Sequence, residues 1–340
     1  MMTGSHIDTQ PLGGWLDGAY GVMAGLEVLR ALDDAKIKTL HPIEVAIWTN
    51  EEGSRFTPGA MGSSAFSSPE RLAEYLEARD KTGASFSEAR DAALTDLDFV
   101  TRRPLGQAVA SYIEAHIEQG PILETSDSHL GIVTGIQGVR WFTFAVTGAA
   151  AHAGTTPLSC RADAMAAAIN AAHAVLGYLP GLFDDRLRFT IGRWTAYPNS
   201  VNTVAGNVTF TIDLRHPEEE VLEKAEACLR KMLCEPVGRC STELVRTFCS
   251  APVSFPVEMV EKLAQACSET GAKCIRIVSG AFHDAMFIAA KYPTAMLFVP
   301  SRGGVSHSPL EDTAFEDLHL GTQALARAII DFAGPAELTT

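Results

Sequence analysis

Residues 43–52 read IEVAIWTNEE, an apolar run rich in β-branched residues that ends at Glu51 and Glu52. A run of this length without polar alternation is typical of a buried strand in a sheet that is covered on both faces. Two adjacent carboxylates have no packing role there, whereas α/β sheets present ligand-binding residues at the carboxyl ends of their strands. The stretch therefore predicts an α/β fold with a functional site beside this strand.

The strand pattern changes in the middle of the chain. Residues 141–147 and 208–214 alternate between apolar and polar side chains, as expected of an antiparallel sheet with one exposed face. An alanine-rich helix is predicted over 161–178, and a second helix over 218–233. The α/β pattern then returns, so we expect a domain inserted into another. The predicted parts are a first catalytic part at 1–137, an inserted α+β domain at 138–248 and a second catalytic part at 249–340.

Composition excludes several classes of protein. The chain has 340 residues, enough for two domains, and its 27 basic and 41 acidic residues give a net charge of −14, which disfavours nucleic-acid binding. The seven cysteines include no C-x-x-C pair, so neither a disulfide framework nor a thiolate zinc site is expected. No signal segment or membrane span is evident, and we predict a cytoplasmic protein without a membrane partner.

Five short motifs carry residues that bind metals. Each motif alone is weak, because a bare H-x-D is more often a surface or capping pair and an E-E dipeptide more often a solvated helix face. Together they supply three histidines, one aspartate and one glutamate, which match the ligands of two divalent ions with a bridging carboxylate. A second glutamate then remains to act as a base. The motifs are His6-x-Asp8, Asp17-Gly18, Glu51-Glu52, His116-Ile117-Glu118-Gln119-Gly120 and Ser306-His307-Ser308.

Six segments in order give the chain a family resemblance. They are GSHIDTQPLGGWLDGAYGV, WTNEEGSRFTPGAMGS, AHIEQGP, GAAAHAGTTPLSCRAD, SGAFHDA and VPSRGGVSHSP. The chain resembles the N-carbamoyl-L-amino-acid hydrolase, β-ureidopropionase and allantoate amidohydrolase group of the M20 metallopeptidase-like family, from residue 4 to about residue 330. The resemblance implies a zinc-peptidase-like catalytic α/β domain with an inserted α+β domain for lid and dimerisation functions.

The resemblance also implies a role for each motif residue. Glu51 would be the catalytic base, and Asp8 would orient a ligand histidine from outside the metal shell. Two divalent ions per subunit are implied, and a ligand set of this kind accepts zinc, manganese, cobalt or nickel. The implied metal ligands are His6, Asp17, Glu52, His116 and His307.

The implied substrate contacts are Gln119 on the catalytic domain and His152, Asn202 and Arg215 on the inserted domain. Arg215 suits a carboxylate, because its fork can hold both oxygens; without the resemblance it is more simply a surface charge at the end of a strand. His152 would reach across a dimer interface to stabilise an oxyanion, which implies a homodimer.

The function implied is hydrolysis of the N-carbamoyl (ureido) group of a small amino acid or of allantoate, with release of ammonia and CO2. The alternatives are an M20-type peptidase or deacylase, and a truncated, impaired chain that dimerises without activity. Family members carry a long segment before Gly4-Ser5-His6, so the chain is expected to lack its N-terminal start. On this view His6 would hang from a free terminus, with no strand leading into it.

Overall fold

The computed structural model describes residues 1–97 and 99–335. These form two compact units, one made of Met1–Ile136 with the chain from Ser254 onward, and one made of Gln137–Val253. The strands are β1 (Met2–His6), β2 (Glu44–Trp48), β3 (Tyr112–Ile117), β4 (Leu130–Ile136), β5 (Gly138–Thr147), β6 (Ala151–His152), β7 (Arg188–Tyr197), β8 (Thr203–Val204), β9 (Asn207–His216), β10 (Ser241–Ser250), β11 (Val253–Ser254), β12 (Cys274–Ser279) and β13 (Thr294–Val299). The helices are α1 (Ala19–Asp34), α2 (Met61–Ser67), α3 (Leu72–Leu76), α4 (Phe86–Asp96), α5 (Ile122–Thr125), α6 (Ala164–Tyr178), α7 (Glu219–Leu233), α8 (Val257–Ser268), α9 (Asp284–Ile288) and α10 (Phe315–Ala333).

The first unit is built on a mostly parallel sheet in the order β11-β4-β13-β3-β1-β2, with β12 also paired to β4. Strands β1, β2, β3 and β13 run parallel, and β4 runs antiparallel to β13. Every residue of β1, β3 and β13 is buried, so the centre of the sheet is covered on both faces. Helices α1, α8 and α10 pack on this sheet, as the α/β prediction requires.

The prediction that His6 hangs from a free terminus is wrong. Met2 pairs with Glu44 of β2 on one side and with Tyr112 of β3 on the other, so the first residues are themselves an interior strand. The amino group of Met1 also donates a hydrogen bond to the Pro42 carbonyl at 3.0 Å. The five residues of β1 are therefore enough to hold His6 at the end of a paired strand.

Strand β2 is less buried than its apolar sequence predicts. Strand β2 lies where it was predicted, but among the described strands it is the last of the order and pairs only with β1, so it is an edge strand. Its Ile47 side chain is 51% exposed. An apolar run identifies a strand, but position within the sheet decides how much of that strand is covered.

Helix α1 lies unusually close to the sheet. A Cβ on Gly21 would stand 2.1 Å from the Ala115 carbonyl oxygen, and a Cβ on Gly25 would stand 3.1 Å from the Thr3 side chain. The helix therefore packs through glycines, with little room for larger side chains. This close approach brings the start of α1, and Asp17 before it, next to the ends of β1 and β3.

The inserted unit holds an antiparallel sheet in the order β10-β5-β9-β7. Burial alternates along β5 and β9, which confirms the half-exposed strands predicted there. Helices α6 and α7 cover the inner face and share its apolar core. Strands β7 and β10 were not predicted, and the expected boundary at residue 248 falls inside β10, whereas the unit ends at Val253.

One helical stretch, Ala164–Leu182, is long and apolar enough by length and composition to cross a membrane. Its buried residues are five of its alanines, Val175 and Leu179, which pack into the core of the inserted unit. A core helix of this composition passes the same test as a membrane span. The cytoplasmic location remains a prediction.

The cysteines provide a test of the fold that is independent of function. Burial raises the pKa of the Cys267 thiol to about 12, whereas Cys160, Cys234 and Cys249 are exposed. Because the thiolate is the reactive form, we expect a disulfide-exchange reagent at pH 8 to label the three exposed thiols rapidly and Cys267 only after unfolding. Mass spectrometry of the labelled peptides reads this out, and rapid labelling of Cys267 in the folded chain would contradict the packing of α8.

Candidate metal centre and active site

The predicted metal ligands converge at one edge of the first sheet. His6 is the last residue of β1, Glu51 and Glu52 follow β2, and His307 lies in the loop after β13. His116 lies inside β3, one residue before its end. Carboxyl ends of parallel strands meet at the same edge of a sheet, which explains why residues so distant in sequence lie together.

Asp17 lies at the centre of this cluster, and its two carboxylate oxygens face different partners. Oδ1 lies 3.1 Å from His116 Nε2 and 3.7 Å from His6 Nε2. Oδ2 lies 2.9 Å from His307 Nε2 and 2.7 Å from Gln119 Nε2. Each oxygen therefore faces its own set of histidines, which is the arrangement that a bridging carboxylate requires.

Two groups of residues have the geometry of a metal site, and they share Asp17. One is His6, Asp17 and His116, and the other is Asp17, Glu52 and His307, with the candidate ligand atoms of each group within 4.8 Å of one another. Glu52 Oε1 is buried and has no hydrogen-bond partner. A buried carboxylate oxygen without a partner is costly, and an ion beside it would remove the cost. The residues fit two borderline divalent cations with nitrogen and oxygen ligands.

Burial and charge together set the proton affinities of this cluster. Burial alone would raise the pKa of Asp17, but hydrogen bonds from His116 and His307, with the charges of His116 and His6, outweigh it and lower that pKa. For His116 burial acts to lower the pKa, and the Asp17 carboxylate outweighs it and raises the pKa to about 9.

Glu51 is a buried carboxyl group at the same edge of the sheet. Its Oε2 lies 3.6 Å from His6 Nε2. Burial, followed by the negative charges of Asp284 and Glu52, raises the pKa of Glu51 well above its ordinary value. A carboxylate in this position accepts a proton more readily than one in water, as a catalytic base must.

Asp8 holds the cluster together in a different way from the predicted one. His6 Nδ1 lies 2.9 Å from the backbone carbonyl of Asp8, whereas the Asp8 carboxylate is 3.8 Å away. That carboxylate instead accepts the backbone N–H groups of Glu51 at 3.2 Å and Glu52 at 3.1 Å. Asp8 therefore fixes the tautomer of His6 through its main chain and the two glutamates through its side chain.

Gly18 leaves room for the ring of His6. A Cβ at Gly18 would lie 2.4 Å from the imidazole, and its φ of 67° lies in the left-handed region that favours glycine. Its backbone N–H also donates to His116 Nε2 at 3.1 Å. The Asp17-Gly18 pair of the motif is thus explained by both the carboxylate and the missing side chain.

A third group with metal-like spacing is better described as a hydrogen-bonded network. It contains Glu114, His116 and His283. The Glu114 oxygens accept from the Ser5 hydroxyl at 2.7 Å and the Ala285 N–H at 2.8 Å. Since both oxygens of Glu114 already accept hydrogen bonds, this group needs no ion.

Gln119, predicted to contact substrate, lies within the metal cluster. Its amide nitrogen donates to Asp17 and stands 3.3 Å from His307 Nε2. Its Oε1 is buried without a partner. A neighbouring residue that the sequence did not single out is Gln10, whose amide donates to Glu52 Oε2 at 2.8 Å.

His152, Asn202 and Arg215 lie in the inserted unit. His152 Nδ1 accepts the backbone N–H groups of Gly154 and Thr155 at 3.1 and 3.2 Å, which leaves Nε2 to carry the proton. The Asn202 carbonyl accepts the Ala153 N–H, so β6 and β8 hold the two residues side by side.

Arg215 is already paired within its own strand. Its Nε lies 3.0 Å from Asp213 Oδ1 and its Nη2 lies 2.8 Å from Asp213 Oδ2, both side chains being partly exposed. Asp213 thereby orients the guanidinium group. A substrate carboxylate that binds Arg215 must share it with Asp213.

Two residues with several contacts in the site escaped the sequence analysis. Glu311 is buried and accepts hydrogen bonds from the segments that carry Asp17 and His307. Arg161 donates to the Ala153 and Thr156 carbonyls, bracketing the loop after His152. Neither has a local sequence signal, because each acts on a loop through backbone contacts.

The chain matches the family model described as peptidase family M20/M25/M40 over residues 2–331. It is 39% identical to an N-carbamoyl-L-amino-acid amidohydrolase of Rhizobium meliloti, with 97% of this chain and 79% of that protein aligned. It is 38% identical to an allantoate amidohydrolase of Bacillus subtilis, covering 98% of this chain and 81% of the relative. A hydantoinase/carbamoylase family amidase of Burkholderia multivorans, known as a crystal structure, has a TM-score of 0.88 at 39% identity and covers 98% of this chain and 81% of its own.

Proposed function

Because the chain belongs to peptidase family M20/M25/M40, we propose that it hydrolyses the N-carbamoyl (ureido) group of a small amino acid or of allantoate, using two divalent metal ions. The observation that carries the proposal is the pair of ligand groups that share Asp17, with Glu51 beside them. Similarity to amidohydrolases over nearly the whole chain makes it a hydrolase of C–N bonds other than peptide bonds.

The ligands divide into two sets around a common carboxylate. His6 and His116 would hold one ion, Glu52 and His307 the other, and Asp17 would bridge them. Two divalent ions bound there would polarise the substrate carbonyl and lower the pKa of the attacking water. Zinc, manganese, cobalt and nickel all suit this donor set.

Glu51 would carry the proton through the reaction. Its carboxylate takes a proton from the attacking water while the water oxygen adds to the ureido carbon. Glu51 then returns the proton to the departing nitrogen as the C–N bond breaks, releasing ammonia. The carbamate that remains decomposes to CO2 and the free amino acid. The raised pKa of Glu51 favours the first step, and its contact with Asp8 fixes its position.

The residues of the inserted unit would bind the rest of the substrate. His152 has the tautomer needed to donate from Nε2 to the oxyanion, because two backbone N–H groups occupy Nδ1. Arg215 would hold the carboxylate and Asn202 would add a polar contact, with Gln119 contributing from the first unit. These four roles follow the family resemblance, and the hydrogen bonding of His152 supports one of them directly.

A homodimer through the inserted unit completes the proposal. Helix α6 buries most of its alanines but exposes Ile169, Leu176 and Tyr178. Exposed apolar side chains grouped on one element are typical of an interface that another chain covers. In the dimer His152 of one subunit would serve the metal centre of the partner.

The proposal is tested by ammonia release from N-carbamoyl-L-amino acids, N-carbamoyl-β-alanine and allantoate, with dipeptides and N-acetyl amino acids in parallel. We expect release from at least one ureido compound, its loss after chelation, and its recovery with Mn²⁺, Zn²⁺, Co²⁺ or Ni²⁺. Elemental analysis of the active protein should find two ions per chain. Hydrolysis of the dipeptides or acetyl compounds alone would replace the proposal by a peptidase or deacylase.

A further inference from the structure

Glu311 is the most highly connected carboxylate around the proposed metal centre that the mechanism does not use. It is 2% exposed, and each of its oxygens accepts two hydrogen bonds. Oε1 accepts the backbone N–H groups of Leu16 at 2.8 Å and Asp17 at 3.2 Å. Oε2 accepts the Ser306 hydroxyl at 2.8 Å and the His307 N–H at 3.3 Å. One carboxylate thus joins the segment of Asp17 to the loop of His307.

His307 needs such support more than the other proposed ligands. His6 and His116 lie on paired, buried strands, whereas His307 lies in a loop with its side chain 45% exposed. Its φ of 54° is in the left-handed region, a conformation that a histidine keeps only when its surroundings enforce it. Because His307 lies outside the helices and strands, other contacts must hold its backbone in this conformation.

The two segments also touch through their backbones. A Cβ on Gly13 would lie 2.2 Å from the Ser308 carbonyl carbon, so the chain before Asp17 rests directly on the loop after His307. The Trp15 indole N–H donates to the Glu311 carbonyl at 2.7 Å, which adds another link between them. Glu311 is therefore the polar centre of a tight loop-to-loop junction.

We infer that Glu311 is a positioning residue that sets the distance between Asp17 and His307 and thereby the affinity of the ion bound by Asp17, Glu52 and His307. The inference rests on the proposed function for the identity of the ligands. A glutamine of the same shape cannot replace Glu311, because its amide nitrogen would face N–H donors on one of the two segments. The ion held by His6 and His116 depends on strands and is affected less.

The test is metal titration of the apoprotein of Glu311→Gln by calorimetry with Mn²⁺ and Zn²⁺, which requires no turnover. Loss of an outer contact to a ligand typically weakens metal binding by about 10–100-fold. We expect a loss of this size for one of the two ions and an almost unchanged affinity for the other. At limiting metal the variant should hold one ion per chain where the parent holds two.

A matched control separates positioning from general destabilisation. Asp317 is also a buried carboxylate of the first unit. It lies on α10, which carries no proposed ligand, and it accepts a hydrogen bond from His129. Asp317→Asn should lower the melting temperature and leave both metal affinities unchanged. If Glu311→Gln fails to fold, Glu311→Asp decides, since the shorter side chain cannot reach both segments at once and should weaken the same ion.

Parent-like affinity for both ions in a folded Glu311→Gln, or in Glu311→Asp where the glutamine variant does not fold, would overturn the inference. Failure of the inference about Glu311 can be distinguished from failure of the proposed function. A parent chain that binds two ions but hydrolyses no ureido compound would contradict the function and leave the role of Glu311 intact. A parent chain that binds no second ion would overturn both.

Discussion

Replacing Glu51 by glutamine is expected to lower kcat by about 10²- to 10⁴-fold, the usual contribution of a positioned general base. Glutamine keeps the shape of the side chain but cannot take the proton from water. Both ligand groups remain complete, so the variant should bind two ions and should keep a KM close to that of the parent. Steady-state kinetics on the preferred ureido compound, with elemental analysis of the same sample, measures the three quantities together.

Glu52→Gln is the matched control for that result. Glu51 and Glu52 are neighbours, the first buried and the second partly buried, and Asp8 holds both through their backbone N–H groups. Only Glu52 belongs to a ligand group, so its replacement should reduce the metal content as well as kcat. Loss of an ion from Glu51→Gln, with full metal content in Glu52→Gln, would exchange the two proposed roles.

Asp17→Asn is expected to affect both ions at once, because each ligand group contains Asp17. Two ions bound as proposed would stabilise charge in the transition state by about several kcal/mol, so activity should fall by about 10³-fold or more. In the apoprotein the variant also removes the carboxylate that raises the pKa of His116. Metal titration should show weaker binding at both positions, in contrast to the single position affected in Glu52→Gln.

Asp317→Asn again provides the comparison, since it neutralises a buried aspartate that belongs to none of the ligand groups. It should retain two ions and the activity of the parent. If Asp17→Asn loses only one ion, the bridging role is wrong and Asp17 serves a single metal. Excess metal that restores full activity to Asp17→Asn would contradict the role more directly.

Sequence motifs were sufficient to recognise the family and the mixed α/β fold, both of which are confirmed. They were also sufficient to identify the residues that converge at the sheet edge, because metal ligands keep their identity and their place after strands. Glu51 and Glu52, for example, follow β2 as the apolar run predicts. The roles of these residues in catalysis remain predictions.

The supporting contacts could not be predicted in the same way. The sequence places Asp8 two residues after His6, but only the backbone path shows that its carboxylate turns to Glu51 and Glu52. Glu311 acts on Leu16 and Asp17, almost 300 positions away in sequence. Such contacts depend on how two loops pack against each other in the folded chain, and no local sequence pattern predicts that packing.

Two expectations about strands, the burial of β2 and the free terminus before His6, were wrong for a related reason. An apolar run predicted β2 correctly but could not reveal that it lies at an edge of the sheet. The three residues before Gly4-Ser5-His6 looked too few to form a strand, but Met2 and Thr3 among them pair with β2 on one side and β3 on the other. Pairing partners, more than the residues of the strand itself, decide whether such a short segment is ordered.

The proposed ligands include His6 near the start of the chain and His307 near its end, with the whole inserted unit between them. During synthesis on the ribosome the first ligands emerge long before the last one. The proposed pair of sites therefore cannot be completed until the loop after β13 has been translated. Loading of the proposed ions would then require both sequence parts of the first unit to have folded together.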